Sequence, residues 1–556
     1  MTPSRETAML PSGHDYDRLY ADFDWDVPER FNIATVCCDR WADDPQRVAM
    51  IEVREDGSHR DITFRELQQD ANRLANSLTT QGVRPGDRVG VLLPQCRETA
   101  ISHLACFKLG AISVPLFSLF GPEALQHRLA DCEMRAIVSD KRGLATLDEI
   151  RHQVPTLTSI YTIDSRSDAS APIHDALDFH AELARASSDF TTYDSRADDP
   201  ALIIYTSGTT GSPKGAVHGH RVLLGHLPGV EISHDLLPQP GDRFWTPADW
   251  AWIGGLLDVL LPALYHAVPI VAHRMLKFSP EKAFELIDRH QIRNLFLPPT
   301  ALKLMRRVES PHIHWRLAVR SVASGGEALG EALLEWGRQT FGVTINEFYG
   351  QTECNMVLSS CASLDVHRPG AIGKAAPGHV MAIVDSDGNP LSEGEIGHIA
   401  VHAPDPVMFL GYWQNPEATR AKFAGDWLLT GDMGSRDAEG YFTFIGRDDD
   451  VITSAGYRIG PAPIENCLLR HPAVRMAAVV GKPDALRTEI VAAYVVLAEG
   501  WAPSKALIEE LQQHVRSRLA AHEYPRDVMF VDEFPMTATG KVVRRALKAL
   551  NPSDDG

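Results

Sequence analysis

Residues 201–215 constrain this chain more than any other stretch. Ala201-Leu202-Ile203-Ile204-Tyr205 is a short apolar run rich in β-branched side chains, which predicts a buried strand. It leads into a loop with four hydroxyls (Thr206, Ser207, Thr209, Thr210), two close glycines (Gly208, Gly211) and one cation, Lys214. Glycine lets backbone amides turn toward an anion, hydroxyls donate to its oxygens, and lysine adds a point charge. This is the chemistry of a phosphate grip. It differs from the mononucleotide P-loop, which needs glycine just before the lysine and Ser or Thr just after it. Pro213 and Gly215 stand in those places.

A chain of 556 residues exceeds what one core supports, so two or more domains are expected. Thr63 and Glu66 form a capping box ahead of the stripe Leu67, Ala71, Leu74 and Leu78, predicting a helix over 63–82. Strand 88–94, helix 98–109, strand 111–117, helix 122–131 and strand 134–139 follow, and the rhythm returns at 281–290, 294–297 and 320–323. Such alternation implies parallel sheets with covered faces. Between 370 and 444 short strands and frequent turns suggest a small β-barrel or sandwich. After 446 the pattern becomes helix 463–470, strands 477–481 and 491–497 and helix 504–519, which reads as a separate α+β unit. We therefore expect a large N-terminal domain over 1–446, a charged junction at 447–450, and a small C-terminal domain over 451–556.

A net charge of −19 argues against a general nucleic-acid or anionic-membrane binder, and a polyanionic ligand must then be held by local cations. The eight cysteines include no C-x-x-C pair and no neighbouring His cluster, so reduced thiols of a cytoplasmic protein fit better than zinc or disulfides. Met1-Thr2-Pro3-Ser4-Arg5-Glu6 has no secretory pattern. The most apolar window, 250–272, holds Asp258, Pro262 and His266 and reads as a buried helix rather than a membrane span.

A second motif, Glu347-Phe348-Tyr349-Gly350-Gln351-Thr352-Glu353, offers hydroxyl and amide groups that suit an adenylate and a carboxylate that suits a hard cation. Together with residues 205–215 it closely resembles the AMP-forming acyl-CoA synthetases, a superfamily that also includes luciferases and peptide-synthetase adenylation domains. The resemblance runs from residue 30 to residue 548, with the motifs in family order. It implies an α/β fold: a large domain of two doubly wound subdomains plus a small β-barrel, and a mobile α+β C-terminal domain.

It also implies ATP, Mg2+ and CoA as reaction partners of a small carboxylic acid. Thr206, Ser207, Gly208, Thr209, Thr210, Gly211 and Lys214 match the phosphate loop, and Glu353 matches the magnesium-holding carboxylate. Gly326, Glu327 and Ala328 match the adenine segment, and Glu347 to Thr352 the stretch lying across the nucleotide. Asp432 and Arg447 match the ribose motifs, and Arg458 a phosphate contact. Ala455, Gly456 and Tyr457 match the CoA path of the medium-chain members, as do Arg487, Tyr524, Pro525 and Arg526. Lys541 matches the catalytic lysine, although Met536 stands where the family usually has a polar residue. Asp449 falls at the hinge about which the family swings its C-terminal domain.

Acetate-specific relatives carry tryptophan at the position matching Gly350 and valine at that matching Gly325, so two glycines predict a deeper acyl cavity. Trp252, Ile253 and Gly254 supply its apolar wall. The expected substrate is a short-to-medium or branched fatty acid, with an aryl acid as the alternative. An adenylation enzyme loading a carrier protein, and a non-catalytic adenylate binder, are the rival classes. The absence of a carrier domain before Gly556, the two arginines Arg487 and Arg526, and the presence of Lys541 and Glu353 disfavour them. Oligomeric state, including a homo-oligomer, stays open.

Overall fold

The computed structural model describes residues 7–11, 13, 15–164, 175–206, 213–275, 277–327, 329–448, 450–454, 457–484, 487–519, 523–536 and 542–549. Two large sheets carry the bulk of the chain. The eight-stranded sheet has the order Gly411–Tyr412, Lys214–Gly219, Pro200–Thr206, Ile112–Pro115, Arg88–Leu92, Ala136–Ser139, Ser159–Thr162, Leu177–Asp178. From Pro200–Thr206 onward all neighbours are parallel. The nine-stranded sheet runs Lys374–Ala375, Cys354–Ser359, Ile345–Gln351, Ser321–Gly325, Asn294–Phe296, Phe244–Trp245, Ile270–His273, Val48–Val53, His59–Thr63. It is parallel in its middle and antiparallel at both edges.

One continuous core takes side chains from both sheets, among them Val89, Val91, Phe244, Phe296 and Phe348. Helix Phe64–Thr80 presents Leu67, Ala71, Leu74 and Leu78 to it. Its capping box is formed: the Thr63 amide donates to Glu66 Oε2 at 2.9 Å and the Glu66 amide to Thr63 Oγ1 at 3.2 Å. Helix Arg97–Leu109 is buried on nearly every face. Its Lys108 is 1 % exposed and reaches Asp39 Oδ1 at 2.5 Å, the pairing that a buried ammonium requires.

Helix Val222–Ser233, which the sequence pattern does not single out, is buried throughout despite Gly225, Pro228 and Gly229. Its glycines permit close approach: a Cβ on Gly225 would lie 2.3 Å from Val407 N, and one on Gly229 2.2 Å from Met356 O. The window 250–272 is not one helix. It comprises Ile253–Gly255, a π turn at Leu256–Leu260, helix Leu261–Tyr265 and then strand Ile270–His273. Among the described residues no helix is long and apolar enough to cross a membrane.

The smaller β-structured part is an antiparallel sheet of Met381–Val384, Gly397–His402, Trp427–Arg436 and Phe423–Ala424, with Phe442–Arg447 paired to Trp427–Arg436. No strand pairing closes it into a barrel among the described residues. A last five-stranded sheet is made wholly of residues after 451 and has its own apolar core, including Ile452, Ile464, Val495 and Leu511. It meets the preceding chain where Pro461 packs on Gly446 and where Arg470 Nη2 lies 3.2 Å from Glu331 Oε2.

Gly229→Ala should lower stability by about 1–3 kcal/mol, because the added methyl is driven into a backbone carbonyl. A thermal melt with an unchanged midpoint would contradict this packing.

Candidate active site

The parallel strands deliver their carboxyl ends to one side, where ligands bind in open α/β sheets. Strand Pro200–Thr206 pairs antiparallel with Lys214–Gly219, with Thr206 opposite Lys214. The phosphate-loop residues Ser207, Gly208, Thr209, Thr210 and Gly211 lie outside the described residues, as do Ala328, Asp449, Ala455, Gly456 and Lys541 and the side chains of Tyr457 and Arg458. Lys214 is exposed, its Nζ 5.3 Å from the centre of the Tyr412 ring. The Tyr412 hydroxyl donates to Glu353 Oε1 in a short hydrogen bond, and the Phe409 amide donates to the Glu353 carbonyl at 2.9 Å. Lys214, Tyr412 and Glu353 thus share one corner, with Thr206 at its rim.

A second corner is built around Asp432. Its Oδ2 accepts from the Tyr349 hydroxyl at 2.5 Å and from Gln351 Nε2 at 2.7 Å. Its Oδ1 lies 3.2 Å from Arg447 Nη1, across the antiparallel pair in which Asp432 faces Arg447. Lys422 completes the corner: its Nζ donates to the carbonyls of Leu429 at 3.1 Å and Thr430 at 3.2 Å and lies 3.5 Å from Gln351 Oε1. Burial and the Asp432 carboxylate hold the Tyr349 hydroxyl well above its ordinary pKa, so it stays a donor. Gln351, Thr352 and Glu353 occupy the turn between strands Ile345–Gln351 and Cys354–Ser359 and so join the two corners. Tyr412 and Lys422 have no motif of their own, and sequence reasoning missed both.

Of the adenine segment, Gly326 has φ +98° and open space where a Cβ would point, a conformation natural to glycine. Glu327 Oε2 lies 3.3 Å from Lys303 Nζ. Glu347 accepts the Leu329 amide at 2.9 Å.

The acyl-pocket glycines act differently from expectation. A Cβ on Gly325 would lie 2.5 Å from the Phe348 ring, and one on Gly350 2.4 Å from Met356 N. The room that two missing side chains should leave is thus taken by Phe348 and by the neighbouring strand's backbone. Gly350 is a close-approach glycine at the irregular pairing of Tyr349 and Gln351. Around Trp252 an aromatic wall forms, with the Phe117 ring centre 5.5 Å away and that of Phe120 6.0 Å away. Phe296 and Phe348 stand 5.3 Å apart behind Gly254 and Gly325.

In the C-terminal unit, just before strand Asp527–Phe530, Arg526 Nη1 donates to the Tyr524 hydroxyl at 3.0 Å and its guanidinium lies 4.9 Å from that ring's centre. Pro525 sits between them. The Arg487 amide donates to Asp484 Oδ1 at 2.9 Å.

Burial pushes the Glu347 carboxyl up to about 7, against the pull of the Leu329 amide, although the residue is half-buried rather than fully enclosed. The folded protein then keeps a proton that the unfolded chain releases near 4.5. With the folded pKa above the unfolded one, this contribution to stability is whole below pH 4.5 and is lost as pH rises through 7. Glu347→Gln should therefore flatten the fall of the thermal midpoint across that window, and an unchanged slope would contradict the assignment.

The family model for AMP-binding enzymes matches residues 38–413, and that for the AMP-binding enzyme C-terminal domain matches residues 463–541. An uncharacterised acyl-CoA ligase of Bacillus subtilis, YtcI, is 33 % identical over 90 % of this chain and 93 % of its own. The human mitochondrial acyl-coenzyme A synthetase ACSM2B is 33 % identical over 98 % of this chain and 93 % of its own. Among solved structures, the anthranilate CoA ligase AuaEII in complex with anthranoyl-AMP aligns with a TM-score of 0.84 at 29 % identity, covering 94 % of this chain and 98 % of that one. With both family models matched and full-length relatives on either side, the chain belongs to the AMP-binding enzyme family, among its acyl-CoA synthetases.

Proposed function

We propose that the protein is an AMP-forming carboxylate–CoA ligase that acts on a short-to-medium or branched fatty acid. The observation that carries this reading is the Asp432 corner. Tyr349, Gln351 and Arg447 together immobilise one carboxylate, and Gln351 stands two residues before Glu353, whose partner Tyr412 also lies against Lys214. A fixed carboxylate would orient the vicinal hydroxyls of a ribose, and the exposed ammonium of Lys214 would meet the polyphosphate.

In the first half-reaction the substrate carboxylate attacks the α-phosphorus of ATP, pyrophosphate leaves, and an acyl-adenylate forms. Lys541 would neutralise charge gathering on the α-phosphate and the carboxylate oxygens. Helix Arg544–Ala549, just beyond it, is anchored by Arg544 Nη2 at 2.8 Å from both oxygens of Glu465. In the second half-reaction the CoA thiolate attacks the acyl carbon and AMP leaves. Arg526 packed on Tyr524, together with Pro525 and Arg487, would meet the CoA nucleotide, while Ala455, Gly456 and Tyr457 would line the thiol path. Rotation of the C-terminal unit about Asp449 would exchange these two sets, with 1–446 as the body and 451–556 as the moving part.

Glu353 fits a magnesium ion shared with substrate phosphates. It is a single hard-oxygen ligand, 7 % exposed, oriented by Tyr412. Among the described residues no group of three or more His, Cys, Asp or Glu could form an all-protein cage. Mg2+ is commonly held by one or two carboxylates plus phosphates, and when bound it would offset phosphate charge. We place the enzyme in the cytoplasm.

The aromatic wall of Phe117, Phe120 and Trp252 favours a second reading, an aryl acid. Flat rings pack well against such a wall.

Acid-dependent ATP–pyrophosphate exchange across acetate to decanoate plus benzoate tests the reading. Exchange without CoA and thioester formation with it are expected, peaking above acetate. Production of ADP, or no exchange with any acid, would contradict it. Asp432→Ala should raise the KM for ATP about tenfold or more, since a charged hydrogen-bonding partner is worth about 1.5–3 kcal/mol. Lys541→Ala should abolish adenylate formation while sparing thioester formation from supplied acyl-adenylate.

A further inference from the structure

One buried carboxyl adjoining the acyl wall has no part in the chemistry above. Asp258 lies in the π turn Leu256–Leu260 and is 2 % exposed. Single π turns inside helices recur at functional sites. Its Oδ1 accepts from Asn355 Nδ2 at 2.6 Å, and Asn355 is 4 % exposed. Its Oδ2 has no hydrogen-bond partner among the described residues and points at Gly254. A Cβ on Gly254 would lie 3.5 Å from that oxygen and 3.1 Å from Phe296 Cε1. Asn355 Oδ1 in turn lies 2.5 Å from where a Cβ on Gly350 would be. Gly254 and Gly350 therefore back onto the same polar pair. With no side chain at 254, nothing on that residue stands between the acyl wall and Asp258 Oδ2, and the Phe296 ring packs close beside it.

The surroundings favour a neutral, hydrogen-bonding carboxyl. His226 Nδ1 lies 2.8 Å from the Val222 carbonyl and so carries the proton, which turns the lone pair of Nε2 toward Asp258 Oδ1 at 3.9 Å. Burial pulls His226 down to about 4, leaving it uncharged near neutral pH. Burial also holds Asp258 well above the carboxylate range, against the pull of the Asn355 amide. A neutral acid bound through Oδ1 to an amide has its other oxygen free to donate to, or accept from, a hydroxyl.

We propose that Asp258, steadied by Asn355, is the polar end of the acyl pocket and selects carboxylic acids that bear a hydroxyl on the chain or ring. The inference rests on the ligase reading and on the acyl group lying against Trp252 and Gly254. A plain hydrocarbon would leave Oδ2 unpaired beside the acyl wall, and sites built to bond a hydroxyl discriminate strongly against analogues lacking it.

The test uses matched pairs, the hydroxybenzoates against benzoate and ω-hydroxyhexanoate against hexanoate, in acid-dependent pyrophosphate exchange by the full-length enzyme. The wild type should prefer at least one hydroxylated member by about tenfold or more in kcat/KM. Asp258→Leu should remove that preference mainly through KM while leaving the plain acids turning over. Asp258→Asn, which keeps hydrogen-bonding capacity, should retain most of it. Gly254→Ala, whose methyl would cover Oδ2 while keeping the carboxyl, should also erase the preference, and it serves if Asp258→Leu fails to fold. Equal rates for both members of every pair in the wild type would overturn the inference but leave the ligase reading intact, as would a Leu variant that loses both members alike. Absence of exchange with every acid would instead remove the ligase reading beneath it.

Discussion

The hydrogen bond from the Tyr349 hydroxyl to Asp432 is the contact on which the site depends. Tyr349 ends a strand of the nine-stranded sheet, and Asp432 lies on a strand of the antiparallel sheet, paired with Arg447. Two independently formed layers are thereby registered to one another at a single carboxylate. Gln351 and Glu353, two and four residues beyond Tyr349, inherit that placement. Through the Tyr412 hydroxyl, Glu353 is tied to the edge strand Gly411–Tyr412 of the eight-stranded sheet. Three sheets therefore meet within a few residues. Under the proposed function, this convergence would hold the nucleotide while motion falls to the unit that carries Lys541.

Close approach, more than side-chain volume, shapes the interior behind this cleft. Gly225 and Gly229 let helix Val222–Ser233 lie against the backbone at Val407 and Met356, and Gly350 lets its strand meet Asn355 and Met356. Met356 itself takes φ 57°, an uncommon backbone state for a side-chain-bearing residue. The Gly225 and Gly229 contacts fix the helix that packs on strands Ile345–Gln351 and Cys354–Ser359. The Gly350 contact sets Asn355 close to the strand that carries it.

Much of this was legible in the sequence where local chemistry decides structure. The capping box at Thr63 and Glu66, and proline at the first turn of Pro122–Asp131, mark helices that formed within a residue or two of expectation. The strand–helix rhythm marked the parallel sheets for the same reason. Helix Val222–Ser233 was not legible, because a segment buried on all sides has no apolar stripe to reveal a period. The window at 250–272 misled for a related reason: uniform apolarity conceals both the π turn and the following strand. At the site, the resemblance to acyl-CoA synthetases marked Tyr349, Glu353 and Asp432. Tyr412, Lys422 and the Asp258–Asn355 pair could not be marked, since each acquires meaning only from a partner far away in the chain. The glycines at 325 and 350 were visible, but their consequence was not. Whether a missing side chain leaves a hole depends on what leans into it, here the Phe348 ring and an adjacent strand.

A crystal structure of the protein with bound ATP tests the central claim most directly. The expected result places the ribose hydroxyls on Asp432 and the triphosphate between Lys214 and Glu353. A nucleotide bound elsewhere, or a ribose turned away from Asp432 with the Tyr349 hydrogen bond broken, would contradict it.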